Sequence, residues 1–136
     1  HLLSRRQRQM CIRDRYMIEN KIKGHILIIS SQSALEPSWS PYRLSKLGID
    51  GITKGMAQRL LEHGIIVNAI GPGPTNTSMQ KNYREGNLYT PLNPIKRFTT
   101  PEEIAQIAKI LVSDLGNTIV GQTIYMSGGR GIVEIR

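Results

Sequence analysis

A chain of 136 residues with 39% hydrophobic and 21% charged side chains has the balance of one soluble globular domain with a real core. Its formal charge of +8 invites a nucleic-acid partner, but the seven aromatic residues are too few for a base-stacking platform and the basic residues form no stripe. No apolar run approaches the ~20 residues that span a bilayer, and the single cysteine, Cys11, excludes an internal disulfide and any multi-cysteine metal site.

Residues 1–15 differ sharply from the rest of the chain. Arg5, Arg6, Arg8, Arg13 and Arg15 against Asp14 carry +4 of the +8 charge, with no helical or alternating period. The segment is similar to translated sequencing-adapter read-through and is read as a non-native leader, outside the fold. A basic arm for an acidic partner is the functional alternative. No continuous apolar stretch comes after the arginines, so the pattern is not that of a signal peptide. Cytoplasmic residence, with no membrane, nucleic acid or metal, is the resulting expectation.

From Tyr16 the pattern is that of an ordinary globular protein. Tyr16 to Gly24 reads as a helix end, with lysines in its last turn and Gly24 as its C-cap. Ile26–Ile29 is a continuous apolar run, as expected of a parallel strand covered on both faces. Ser40-Pro41 starts a helix, with serine at the N-cap and proline at the first helical position. That helix is expected to run to His63 and stop at Gly64. Leu44, Leu47, Ile52, Met56 and Leu60 read as its core stripe. Gly48, Gly51 and Gly55 share a face and cost roughly 1 kcal/mol each against alanine, which implies close approach of another element or subunit.

Ile65–Ile70 reads as a second buried strand, ending in Gly71-Pro72-Gly73-Pro74. Residues 75–99 are polar and aperiodic, and a stretch of that kind is commonly a functional loop. Within it, residues 78–97 are expected to form a mobile lid over substrate. Thr100-Pro101-Glu102-Glu103 is a capping box that opens a third helix. Gln122–Met126 is a last strand, closed by Gly128-Gly129. Alternating strands and helices indicate an α/β fold with a parallel, helix-covered sheet.

The residues that carry chemistry lie around the first strand and the helix after it. Tyr42 and Lys46 are four apart in the first turns, so they share one helix face. An ammonium held beside a phenol favours the phenolate. A phenol tuned in that way exchanges a proton with an oxygen near neutral pH. The Ser31 hydroxyl, just beyond the strand, can hydrogen-bond the same oxygen, with Ser33 a weaker candidate. The competing reading is a solvated helix face with an incidental Tyr–Lys pair, in a non-catalytic interaction or structural domain. Ligands of open α/β sheets bind beyond the carboxyl ends of the strands, which is where Ser30–Ser33 and Pro72–Thr77 both fall.

Several motifs occur in one order: Gly24-x-Ile-Leu-Ile-Ile-Ser30-Ser31, Tyr42-x-x-x-Lys46, Val67-Asn68-Ala-Ile-Gly-Pro72-Gly73-Pro-Thr75-Asn-Thr77, Pro101-Glu-Glu-Ile-Ala105, Val120-Gly121-Gln122 and Gly128-Gly129. Together, over about residues 16–131, they resemble the C-terminal part of the short-chain dehydrogenase/reductase family. The resemblance implies a single Rossmann-like sheet over residues 16–136, truncated to about three strands. It also implies bound NAD or NADP and hydride transfer between a nicotinamide and a small-molecule alcohol or carbonyl.

Carried over residue by residue, Tyr42 matches the family's proton donor and acceptor. Lys46 matches the lysine that tunes that tyrosine and bonds the nicotinamide ribose. Ser31 matches the serine that orients the substrate oxygen. Pro72, Gly73, Thr75 and Thr77 match the loop that lines the nicotinamide. Three residues between Tyr42 and Lys46 match the ketone/alcohol branch rather than the enoyl reductases. The Gly-rich phosphate loop, the Asn-Asn-Ala-Gly segment and the catalytic asparagine are absent from these 136 residues, so the resemblance implies an incomplete, inactive catalytic unit. The whole enzyme is expected to be a homo-oligomer.

Overall fold

The computed structural model describes residues 12–36, 39–78 and 87–133. A helix over residues 12–19, α1, leads into strand β1 (Gly24–Ile29). Helix α2 (Pro41–Leu60), strand β2 (Ile65–Pro72), helix α3 (Pro101–Leu111) and strand β3 (Thr123–Met126) come next in the chain. The three strands form one parallel sheet in the order β1-β2-β3. Parallel neighbours require crossovers, and α2 and α3 supply them. This is the parallel, helix-covered sheet that the pattern of elements predicts, and the truncated Rossmann-like sheet that the resemblance implies.

Register determines which residues meet. Ile26 lies beside Val67 and Ile28 beside Ala69, while Ala69 also lies beside Thr123. Alternate residues therefore form rows across the sheet. The row containing Ile26, Ile28, Ile65 and Val67 packs on Ala57 and Leu60 of α2 and on Met17 and Ile18 of α1. Each fully buried aliphatic side chain of this core contributes about 1.5–3 kcal/mol. The opposite face meets α3, whose Ile107 shares a cleft with Met126 of β3.

Asn68 is the polar exception in β2. It is 2% exposed, donates to the Ile119 carbonyl at 2.5 Å and accepts from the Gln122 N–H at 2.9 Å. A buried amide must be satisfied, and satisfying this one fixes the turn that launches β3.

Two expectations need correction. Gly24 is not a helix C-cap: it opens β1, and Lys21 takes the left-handed conformation (φ 54°) after α1 ends. The stripe on α2 is only half core. Leu60 is buried and Met56 packs against the core, but Leu44, Leu47 and Ile52 are exposed. At 3.6 residues per turn, Leu44, Gly48, Gly51 and Gly55 fall opposite Thr53, Ala57 and Leu60. An added Cβ at any of the three glycines meets nothing within 4 Å. The aperiodic segment contains no helix or strand where described, as its sequence suggests, and is held by local bonds. Tyr89 bridges Arg97, Thr90 donates to the Lys96 carbonyl at 3.1 Å, and buried Asn93 bonds both backbone groups of Arg97. The rest of the expected lid, residues 79–86, lies outside the described residues.

Gly71 in β2 has a different reason from the helix glycines. A Cβ there would run into Cδ1 and Cε1 of the Tyr125 ring. Gly71→Ala is therefore expected to destabilise the chain by about 1–3 kcal/mol through overpacking. Gly51→Ala, on open surface, should stabilise it by up to about 1 kcal/mol through helix propensity. Urea denaturation of both variants checks this, and an unchanged midpoint for Gly71→Ala would contradict the packing described.

Candidate functional site

The carboxyl ends of β1 and β2 carry the predicted residues. Ser30 continues the ladder by donating its N–H to the Ile70 carbonyl at 2.7 Å. Ser31 then leaves the sheet as N-cap of a short 3-10 turn, Gln32–Leu35, with its hydroxyl accepting from the Ser33 N–H at 3.2 Å. That bond gives Ser33 a backbone role in the turn and leaves the Ser31 O–H hydrogen to donate elsewhere.

Helix α2 begins as read, with Ser40 at the N-cap and Pro41 at the first helical position. Tyr42 lies in the first turn and is more than half exposed. Lys46, one turn on, places its ammonium 5.7 Å from the centre of the Tyr42 ring. The same ammonium donates to the Ile29 and Ser30 carbonyls, both at 3.3 Å. The Ser30 hydroxyl answers by donating to the Lys46 carbonyl at 3.4 Å. Tyr42 and Lys46 thus stand over the end of β1, and Ser31 is the next residue along the chain.

The β2 loop sits on the same edge. Gly73 donates to the Met126 carbonyl at 3.0 Å, and a Cβ there would lie 2.9 Å from the Ser127 Cα. Thr75 bonds the Gly73 carbonyl through its hydroxyl at 3.0 Å and pairs with Thr99. Asn76 donates its N–H to the Thr99 carbonyl at 2.9 Å, while its side-chain oxygen is buried with no partner among the described residues. Pro72 ends β2, and Thr77 closes the loop partly exposed. Gly71 connects the two halves of the edge, since its Cβ direction points to the Tyr125 ring and to the Ser31 carbonyl carbon at 3.4 Å.

Asp50 continues the stripe of Tyr42 and Lys46 by one more turn. Its carboxylate accepts from the Tyr125 hydroxyl and, at 3.1 Å, from that of Thr123. Burial, then the hydrogen bond to Asp50 and its charge, push the Tyr125 phenol well above its ordinary range. Sequence reasoning missed this clamp. The i, i+4, i+8 spacing of Tyr42, Lys46 and Asp50 was its only local signal.

Clefts among the described residues border the fold. One of about 330 Å³, lined in part by Thr99, Glu103, Ile107 and Met126, adjoins the β2 loop. Another, of about 520 Å³ around Lys23, His25, Asp114 and Asn117, opens at the opposite edge of the sheet. Among the described residues no group of three His, Cys, Asp or Glu side chains could hold a metal ion, and no helix is long and apolar enough to cross a membrane.

Comparison with known proteins finds relatives of this sequence and fold. A family model described as enoyl-(acyl carrier protein) reductase matches residues 8–130. The chain is 37% identical over 118 residues to the 3-oxoacyl-[acyl-carrier-protein] reductase of Thermotoga maritima, covering 84% of this chain and 48% of that protein. It is 38% identical over 119 residues to glucose 1-dehydrogenase 2 of Bacillus subtilis, covering 84% and 46%. Among solved structures, the acetoin dehydrogenase of Enterobacter cloacae superposes with a TM-score of 0.82 at 30% identity, covering 93% of this chain and 51% of that one. The chain spans about half the length of the relatives it matches.

The segment after the β2 loop is fastened to α3 by charge. Arg97 grips Glu103 with two bonds, at 2.7 and 3.0 Å, and Glu103 also completes the capping box by accepting from the Thr100 N–H at 2.8 Å. The Arg97 bond first, then the Thr100 bond, hold the Glu103 carboxyl down at about 2 against its ordinary 4.5. A carboxylate depressed by folding stabilises fully above its unfolded value. That contribution is lost as pH falls from 4.5 through about 2. The pair is partly exposed, so the effect is modest. Glu103→Gln should flatten the stability–pH curve in that window. Equal acid sensitivity of the variant and the parent chain in urea melts would contradict the assignment.

Proposed function

The chain belongs to the short-chain dehydrogenase/reductase family, and from that premise we propose that it carries the catalytic half of an NAD(P)-dependent oxidoreductase interconverting an alcohol and a carbonyl. One observation carries the reading: Lys46, clamped to the carbonyls of Ile29 and Ser30, holds a positive charge beside the Tyr42 ring and next to Ser31. That is an acid–base group, its electrostatic partner and an orienting hydroxyl at one sheet edge.

In this reading Tyr42 gives a proton to the carbonyl oxygen during reduction and takes it back during oxidation. Lys46 stabilises the phenolate that remains, and its third N–H would be the donor for the nicotinamide ribose. Ser31 donates to the same substrate oxygen, since the bond it accepts from the Ser33 N–H orients the hydroxyl and leaves its hydrogen free. NAD or NADP, when bound, supplies or accepts the hydride. Pro72, Gly73, Thr75 and Thr77 would line its nicotinamide. The orphaned Asn76 oxygen and the close seating of Gly73 on Ser127 fit a loop built to receive a polar ring. The phosphates have no comparable cradle in these residues, because a dinucleotide fold holds them on a Gly-rich turn that is not among them.

The substrate is a small alcohol or ketone, in keeping with the three-residue spacing of Tyr42 and Lys46, and the protein works in the cytoplasm. The outward face of α2, with exposed Leu44, Leu47 and Ile52 around the three glycines, is where a second subunit would pack in the whole enzyme.

In a protein that joins this chain to the missing phosphate-binding half, Tyr42→Phe is expected to lower turnover at least ~10²-fold with little change in cofactor KM, followed at 340 nm. Undiminished turnover would remove Tyr42 from the chemistry. In the same protein Leu47→Asp should shift sedimentation toward the monomer, and an unaltered oligomer would place the interface elsewhere.

A further inference from the structure

We propose that Glu36 is a positioning residue that locks the Ser31 turn against the Tyr42 end of α2, an inference that rests on the catalytic reading of Ser31 and Tyr42. Glu36 ends the 3-10 turn that Ser31 begins, donating its N–H to the Ser33 carbonyl at 3.4 Å. Ala34 donates to the Ser31 carbonyl at 3.1 Å. Ser31 and Glu36 are thus the two ends of one hydrogen-bonded unit, and displacing either moves the other.

The Glu36 carboxylate draws two distant segments onto that unit. Its Oε2 lies 2.8 Å from Nη2 of Arg43, the residue after Tyr42. Its Oε1 accepts from Nε of Arg130 at 2.6 Å, across 94 positions of sequence. The Glu36 side chain is only 17% exposed and both arginines are about one-third exposed or less, so the cluster is shielded from solvent. Charge-assisted bonds of this length are strong where water is displaced. The C-terminal segment lies directly on the turn: Gly131 has φ 78°, and a Cβ there would stand 2.8 Å from the Leu35 Cβ. Glycine is required for both the conformation and the approach.

The charge count explains why this carboxylate matters more than an ordinary ion pair. Two guanidiniums share one carboxylate. Removing it leaves two like charges facing each other, which drives Arg43 and Arg130 apart and releases the turn from both sides. Ser31 would then lose its alignment with Tyr42 while β1, β2 and the Leu60 core stay intact.

The test is Glu36→Gln, read by hydrogen exchange on the 136-residue chain and by kinetics after the chain is joined to a phosphate-binding half. The amides of Ser33, Ala34, Glu36 and residues 130–133 should exchange at least ~10-fold faster, with those of β2 unchanged. Turnover should fall about 10-fold at constant cofactor KM, and adding Arg130→Gln should recover part of both losses by removing the excess charge. Unchanged exchange in the turn overturns the proposal, as does an increase spread equally over β2, which would mark a general stability role. If Tyr42→Phe leaves turnover intact, the catalytic reading fails and the positioning role with it. The exchange data would then identify Glu36 as a structural clasp alone.

Discussion

The ammonium of Lys46 is the joint on which the arrangement depends. A parallel strand that ends at the rim of a sheet leaves its last carbonyls facing outward, and here Ile29 and Ser30 offer theirs to one lysine. The Ser30 hydroxyl returns a bond to the Lys46 backbone, so strand and helix are tied in both directions. One turn before, the Tyr42 ring borders the same charge. One turn after, Asp50 reaches β3 through Thr123 and Tyr125. Lys46 and Asp50, two side chains of one helix stripe, thereby register α2 against both outer strands of the three-stranded sheet.

That polar registration explains which parts of the fold are legible in sequence. Caps and strand runs are local signals, and apart from the cap expected at Gly24 the structure contains them close to where the sequence places them. Ser40-Pro41 starts α2, Thr100 and Glu103 form the capping box of α3, and Gly64 ends the first crossover in the left-handed conformation (φ 73°). The rotation of α2 about its axis is not legible in the same way, because the face that meets the sheet carries Lys46, Asp50 and Thr53 beside Ala57 and Leu60, while Leu44, Leu47, Ile52 and the glycines face outward. Apolar periodicity identifies a buried face only when burial is what anchors the helix. Here hydrogen bonds share that work.

The site is legible to a similar depth. Tyr42, Lys46 and Ser31 declare themselves through spacing and through the strand that precedes them. Glu36–Arg130 and Asp50–Tyr125 do not, because their partners are 94 and 75 positions apart and meet only after the sheet has formed. Gly71 reads as strand punctuation in sequence, yet it exists to admit the Tyr125 ring beside the Ser31 backbone.

The described sheet leaves two surfaces uncovered. β1 is an edge strand of this sheet, with Ile29 exposed, and α2 presents an apolar outer face. Such surfaces favour association until covered. The central claim is that these residues hold the chemistry and the nicotinamide end of the site without the phosphate anchor. Calorimetric titration of the 136-residue chain with NADH and NADPH tests it most directly. The account predicts no saturable binding tighter than ~1 mM for either cofactor. Micromolar binding by a monomeric, cooperatively melting species would contradict it.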